Sequence, residues 1–343
     1  MSEGLDSTPL VSIVVPVFNG ERYLRECLDS MVNQTYPNVE ILVMDDASTD
    51  STPAIVASYG ERVKSFRQPI NKGQFGNVND GIALALGKYT AIYHADDIYD
   101  SKIIEREVEF LEQNIEAGAV FCYDIFINAE GKEYNRLSIP EEFQTRSCFD
   151  YEAILNGILK YKNRFLPTPG AMVRSSVYKE LGGFRGEEFQ IAADLEMWLR
   201  IARIHKIGII HEYLFYYRHG HENSSQAYYR VRSEPERQFL ILDEHLRTGG
   251  SSVAHLSSVR AYEAHRSEDN LMVAVNQYIL GRTVESMTFL RAVKLGRLLG
   301  SRVVQRCRLF LLFFILQALV RFPRVSVAAD FFYRRWHVKS YTA

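Results

Sequence analysis

The chain has 343 residues, which at about 150 residues per domain predicts two domains. Apolar residues make up 47% and charged residues 24%, a globular balance that excludes a disordered or collagen-like chain. The formal charge of −2 excludes both a strongly basic nucleic-acid binder and an acidic solvating chain. That total hides a split: residues 291–343 hold eleven Lys and Arg against one acid, Asp330, and the first 290 residues hold 29 against 41. Cys27, Cys122, Cys148 and Cys307 form no CxxC pair, which points to a reduced, cytoplasmic setting. Residues 1–6 carry neither a basic nor an apolar leader pattern, so no signal peptide is expected. The apolar run 309–320 makes roughly 18 Å of helix, short of the ~30 Å hydrocarbon core.

Residues 11–17 are a continuous, mostly β-branched run, read as a strand buried on both faces of a parallel sheet. Residues 21–33 follow with helical spacing, placing Leu24, Leu28, Met31 and Val32 on one face. A second strand at 39–44 stops at Asp45-Asp46, and Ser48-Thr49-Asp50 is expected to cap the next helix, with Pro53 in its first turn. The alternation continues through a strand at 63–67, a helix at 76–86, a strand at 89–94 ending at Asp96-Asp97, a helix at 102–114 and a strand at 119–126. Residues 128–131 read as a hairpin turn, 151–159 as a helix inside a looped stretch, and 175–181 and 193–205 as helices. One or two strands fit 206–217, and residues 230–325 read as several helices. Alternating strands and helices predict βαβ units. The boundary falls near 225, dividing an α/β domain, 1–225, from a helical region, 226–343, whose end at 291–343 is basic and amphipathic.

In open α/β sheets, ligands sit beyond the carboxyl ends of the strands. Here those ends carry Phe18-Asn19-Gly20, Asp45-Asp46 and Asp96-Asp97. One acid pair alone would read as helix capping. Two in one βαβ series favour a nucleotide and a hard cation, Mg²⁺ or Mn²⁺, held by carboxylate and phosphate oxygens. GxGxxG and GxxxxGK[ST] are both absent, which removes most of the case for a dinucleotide dehydrogenase or a P-loop NTPase. Asn71-Lys72-Gly73 and Gly76-Asn77-Val78-Asn79 suit either a ligand-approaching backbone or plain turns.

The segments Ser12-Ile13-Val14-Val15-Pro16-Val17-Phe18-Asn19, Val43-Met44-Asp45-Asp46-Ala47-Ser48-Thr49-Asp50 and His94-Ala95-Asp96-Asp97 closely resemble the family 2 glycosyltransferases with the GT-A fold. The likeness runs from about Pro9 to Ser225. It implies an α/β, GT-A type (Rossmann-like), mostly parallel sheet flanked by helices, with a C-terminal helical region after it. It also implies that Pro16 and Phe18 lie at the nucleotide, with Phe18 on the base, and that Asp46 bonds the base. Asn71, Gly73 and Asn79 would line the nucleotide pocket, Asp96 would face ribose or diphosphate, and Asp97 would hold the metal. Val78 stands where the family often has Arg.

Inverting transfer needs a carboxylate within reach of the acceptor hydroxyl. Ala193-Asp194-Leu195-Glu196-Met197-Trp198 resembles the family's Glu-Asp-x-x-x-Trp helix start, which makes Asp194 the base, with Ala193 in place of the usual Glu. On the residues alone, Asp194 suits a helix N-cap equally. Pro167-Thr168-Pro169-Gly170 resembles a segment under the sugars, and Gly182-Gly183-Phe184 a turn toward the acceptor side. Tyr216-Tyr217-Arg218-His219-Gly220-His221 resembles a Tyr-Arg-x-His segment, which assigns His221 to the metal or diphosphate. His94 reads as a packed neighbour of the acids rather than a ligand.

These readings converge on an inverting transferase that moves a sugar from a nucleotide-diphosphate sugar, UDP-linked by preference, to a hydroxyl of a glycan or lipid-linked glycan. Its setting would be cell-surface polysaccharide or glycoconjugate synthesis. Two alternatives stand beside it: a catalytically silent sugar-nucleotide binder, and a nucleotidyltransferase. No nucleic-acid partner is expected, and self-association is left open. The basic, apolar end at 291–343 suits in-plane contact with the cytoplasmic membrane face; the alternative reading is a buried helix packed against the catalytic domain or another subunit.

Overall fold

The structure, a computed structural model, describes residues 8–219, 232–298 and 303–321. The chain divides into two compact units, Met1–Ile154 with Asn163–His221, and Leu155–Lys162 with Glu222–Ala343.

The first unit begins as the hydropathy pattern requires. Strand β1 (Val11–Val17) has both faces covered and pairs in parallel with β2 (Val39–Asp45) and β4 (Tyr89–Ile92), while β2 pairs in parallel with β3 (Lys64–Arg67). Helices α1 (Leu24–Val32), α2 (Thr52–Ala57) and α3 (Gln74–Leu84) make the crossovers. Leu24, Cys27, Leu28 and Met31 of α1 fall at helical spacing on its buried face. Helix α3 lies so close to β1 that a Cβ on Gly81 would come within 2.4 Å of Val14, so only glycine fits there.

Beyond β4 the order becomes mixed. A two-residue strand β5 (Ile98–Tyr99) is followed by α4 (Ile103–Gln113), β6 (Ala117–Ile127), β7 (Glu133–Arg136), β8 (Cys148–Phe149) and α5 (Tyr151–Tyr161). Then come β9 (Ala171–Arg174), α6 (Ser175–Leu181), α7 (Gly186–Phe189), α8 (Ala193–Ala202) and β10 (Lys206–Arg218). The sheet order is β3-β2-β1-β4-β9-β6-β10-β5, with β7 on β6 and β8 on β10. Four of its strand pairs are parallel and five antiparallel, so the sheet is mixed where a mostly parallel one was expected. The reason is β9: no strand was expected after the Pro/Gly turn at 167–170, yet the next four residues enter the sheet antiparallel to both β4 and β6. Two reversals restore the original direction, so the carboxyl ends of β4 and β6 lie at the same edge. Five residues, 93–97, join β4 to β5 across four strand positions, and the Tyr93 and Tyr99 rings stack at 4.0 Å. The sheet is therefore curled.

The second unit is helical among its described residues: Gln238–Arg247, Leu256–Ile279, Thr283–Ala292, Leu295–Leu298 and Val303–Arg321. Its core gathers Leu271, Val275, Leu290, Leu298, Leu312, Phe313 and Leu316.

Candidate active site

The carboxyl edge of the sheet is built first from two interlaced loops. The Asn19 and Gly20 amides donate to Ser48 Oγ at 2.9 Å and Thr52 Oγ1 at 2.8 Å, and the Thr49 amide donates back to Asn19 Oδ1 at 2.8 Å. Asn19 and Ala47 hold left-handed φ values of 50° and 63°, conformations that cost a non-glycine residue energy. The expected cap takes a particular form: Asp50 accepts from the Thr52 amide at 2.9 Å and the Glu21 amide at 3.0 Å, so it ties the two loops while starting α2.

At this end the Phe18 ring projects 53% exposed. Asp45 braces its own loop, accepting from the Ser48 amide at 2.9 Å and pairing with Arg67 at 3.4 Å. Asp46 is buried and accepts from the Lys72 amide at 2.7 Å, which brings the 71–73 turn against β2. Pro16 lies on β1 opposite Met44. Asn71 is exposed and accepts from the Gly73 amide at 2.9 Å, while Gly73, at φ 76°, precedes α3. Asn79 is placed differently: its amide donates to the Phe184 carbonyl and accepts from the Phe184 amide, both at 2.8 Å. Its polar atoms thus clamp the 182–184 turn.

The second part is the turn after β4. One oxygen, one nitrogen and one further oxygen from Asp96, His94 and Asp97 lie within 4.8 Å of one another. Asp97 is fully buried, its Oδ1 accepts from the Arg218 amide at 2.8 Å, and its Oδ2 has no hydrogen-bond partner among the described residues. Burial, then the Asp96 charge, pushes the Asp97 carboxyl well above the usual range. His94 Nε2 is likewise buried without a partner, and burial lowers its pKa. Two orphaned ligand atoms beside a second carboxylate fit a hard divalent cation, which would satisfy the lone pairs and neutralise the crowded charge. His221, the other residue assigned to the metal, lies outside the described residues.

Arg218 holds this turn in place and was not foreseen as doing so. Its buried guanidinium donates to the Asp96 carbonyl at 2.9 Å and to Glu26 at 2.6 Å, and lies 4.5 Å from the Tyr23 ring centroid. In sequence Arg218 was marked only as a member of the Tyr-Arg-x-His segment that closes a strand.

The third part is Asp194, in the first turn of α8. Its Oδ2 accepts from Thr168 Oγ1 at 3.0 Å and from Asn163 at 3.4 Å, and the Leu195 amide donates to its Oδ1 at 2.6 Å. Burial raises its pKa to about 6, against those hydrogen bonds. Thr168 stands in the turn that leads into β9, so the antiparallel strand presents its entry turn to the site. Helix α8 is anchored by Trp198, fully buried between Phe121 at 4.9 Å and Phe184 at 5.8 Å. Loop-held aromatic, acid turn and partly buried carboxylate are thus ranged along one edge.

An exposed aromatic, paired acids and a carboxylate at the carboxyl ends of the strands stand where open α/β sheets bind their ligands. A sequence model of "Glycosyl transferase family 2" matches residues 12–182. A glycosyltransferase of Haemophilus influenzae is 30% identical over 228 residues, 64% of this chain and 69% of that protein. Among solved structures, S. aureus TarS 1–349 in complex with UDP-GlcNAc aligns at a TM-score of 0.53 and 18% identity, covering 95% of this chain and 92% of its own. The mannosyltransferase PcManGT from Pyrobaculum calidifontis, in complex with GDP-Man and Mn²⁺, aligns at 0.52 and 17%, covering 98% and 88%. The chain belongs to glycosyl transferase family 2 and is a transferase of the glycosyltransferase class.

Proposed function

We propose that the protein is an inverting, metal-dependent glycosyltransferase in which Asp194 removes the proton of an acceptor hydroxyl. The observation that carries this reading is the state of Asp194. It is a carboxylate raised to about 6 and aimed by Thr168, on the same edge as an acid turn with unpartnered ligand atoms. A base poised just below neutral pH is ionised when needed and still basic enough to take a proton. Asp96, Asp97 and His94 would hold a Mg²⁺ or Mn²⁺ ion, which supplies charge stabilisation to the departing diphosphate when bound. Phe18 would cover the base, with Asp46 and the 71–73 turn beside it. Arg218 keeps the acid turn fixed, so that stabilisation costs little reorganisation during the reaction. UDP-linked sugars are the donors we favour, and a glycan or lipid-linked glycan the acceptor, in cell-surface polysaccharide or glycoconjugate synthesis.

Peripheral attachment at the cytoplasmic membrane face belongs to the same reading. No helix among the described residues is long and apolar enough to cross a membrane. Helix Val303–Arg321, however, exposes Leu311, Phe314 and Ile315 along one face, and Arg308 and residues 291–297 add basic charge close by in sequence. That exposed apolar strip is what supports in-plane contact with an anionic leaflet.

Donor hydrolysis measured with Mn²⁺ across UDP- and GDP-sugars tests the catalytic part. Turnover is expected with at least one donor, abolished by chelation and by Asp97→Ala. No turnover with any of them, or turnover indifferent to both treatments, would contradict it.

A further inference from the structure

The clamp that Asn79 makes lies between two functional parts of the molecule. Both polar ends of its amide are taken by the Phe184 backbone, one donating to the carbonyl and the other accepting from the amide, each at 2.8 Å. A side chain engaged in this way with one peptide 105 positions away holds two segments together rather than meeting a ligand. The packing around it is equally close. A Cβ on Gly183 would come within 2.4 Å of Asn79 Oδ1, and one on Gly186 within 2.5 Å of Phe75. The Phe75 and Phe184 rings stack at 5.4 Å. Helix α3 and the segment 183–186 are therefore locked face to face.

On one side of this lock, α3 is pinned to β2 by Asn77, whose buried amide donates to the Met44 carbonyl at 2.6 Å. The same helix follows the 71–73 turn, where the Lys72 amide meets Asp46 at 2.7 Å. On the other side, the segment 181–185 carries α8. The Arg200 guanidinium donates to the Leu181 and Gly183 carbonyls at 2.5 and 2.9 Å and to Glu196 at 2.9 Å, and Glu196 also pairs with Arg185 at 3.4 Å. Trp198 meets Phe184 edge-on at 5.8 Å. Asp194 stands in the first turn of that helix, so it goes where α8 goes. The chain between Phe184 and Asp194 passes through the short α7 and through Gln190, whose left-handed φ of 50° persists only where the surroundings enforce it. The lateral bonds, rather than this connecting stretch, fix the helix.

We infer that Asn79 is the positioning residue that sets the proposed base in register with the nucleotide end of the site, acting on Asp194 through the 182–184 turn and α8. This rests on the reading of Asp194 as the base and of the 71–73 turn as part of the nucleotide site. A base must meet the acceptor hydroxyl while the donor is held from its nucleotide end, so both must be placed from one frame. Misplacement by about 1 Å can cost about 10²-fold in rate.

The test uses the full chain with Mn²⁺, as wild type, Asn79→Asp and Gly183→Ala, each also in an Asp194→Asn background. Asn79→Asp keeps the acceptor for the Phe184 amide and loses the donor to its carbonyl. Gly183→Ala leaves Asn79 intact and pushes the turn away from it. Affinities for UDP and GDP are measured by calorimetry, and kcat and KM by hydrolysis of the accepted UDP- or GDP-sugar. The expected result is diphosphate affinity and KM within about twofold of wild type, with kcat lower by about tenfold or more in each variant. In the Asp194→Asn background the further loss should stay under about twofold, whereas a residue that only stabilised the fold would cost the same in both backgrounds. Unchanged kcat in both variants overturns the inference. So does a loss of diphosphate affinity equal to the loss in kcat, or a loss repeated in full in the Asp194→Asn background. Undiminished hydrolysis by Asp194→Asn alone, or a wild-type chain that hydrolyses no donor, would refute the reading of the site itself and the inference with it.

Discussion

Replacing Glu107 by glutamine should leave stability nearly unchanged in mild acid and raise it steeply toward alkaline pH. Glu107 lies in α4 with no exposure, accepts from the Tyr93 phenol at 2.8 Å through Oε2, and has no partner for Oε1 among the described residues. Burial raises its pKa from 4.5 to about 8, with the Tyr93 bond working in the opposite direction. The folded chain therefore favours the protonated acid. That contribution is complete below about pH 4.5 and is lost as pH rises through about 8. The shift corresponds to about 5 kcal/mol at full ionisation, an upper bound because the folded state relaxes around a charge. Glutamine presents the same carbonyl to Tyr93 and cannot ionise. Urea unfolding of both proteins at pH 4.5, 6, 7.5 and 9 would show their difference growing across that series. A difference that stays flat, or that shrinks with pH, would refute the reasoning. Asp124 and Asp194, raised by burial to about 7 and about 6, titrate in both proteins, so comparing the two isolates Glu107.

Two further outcomes follow from the site. Arg218→Met removes the donor to the Asp96, Asn128 and Ala129 carbonyls and should cost roughly 3 kcal/mol of unfolding free energy. Glu26→Gln should cost less, about 1–3 kcal/mol, because glutamine keeps an acceptor for the buried Arg218 guanidinium but removes its counter-charge; chemical denaturation of both variants checks the ranking. For Asp194, kcat/KM should rise with pH and level off above about 6, where the base is ionised. Asp194→Asn should lose that limb together with roughly 10²–10⁴-fold in rate, and a limb that persists in the variant would point to another group.

The first half of the sheet was legible because its strands are buried on both faces and its helices carry one apolar stripe. Val11–Val17 and Val39–Asp45 could scarcely be anything else. Ile98–Tyr99 and Ala171–Arg174 were missed because two and four residues show no period, and because Pro169-Gly170 masks the start of the second. At the site, paired acids after strands announce themselves. His94 did not, since its closeness to the Asp96 and Asp97 carboxylates comes from folding back beside them. Arg218 reaches the Asp96 carbonyl across 122 positions of sequence, a contact that no local pattern encodes. Asn79 was legible as a residue of interest, yet a motif cannot tell that both its polar ends face the Phe184 backbone.

The five-residue bridge from β4 to β5 has a mechanical consequence. Four interstrand spacings come to about 19 Å on a flat sheet, and the six Cα steps from Ile92 to Ile98 reach about 21 Å at full stretch. The bridge turns back on itself, so it needs the curl. Shortening it by one residue would draw β4 toward β5, and lengthening it would slacken the girth of the sheet. The residues that make up this strap include Asp96 and Asp97. The length of the strap that sets the curl therefore also sets where the two acids stand on the edge.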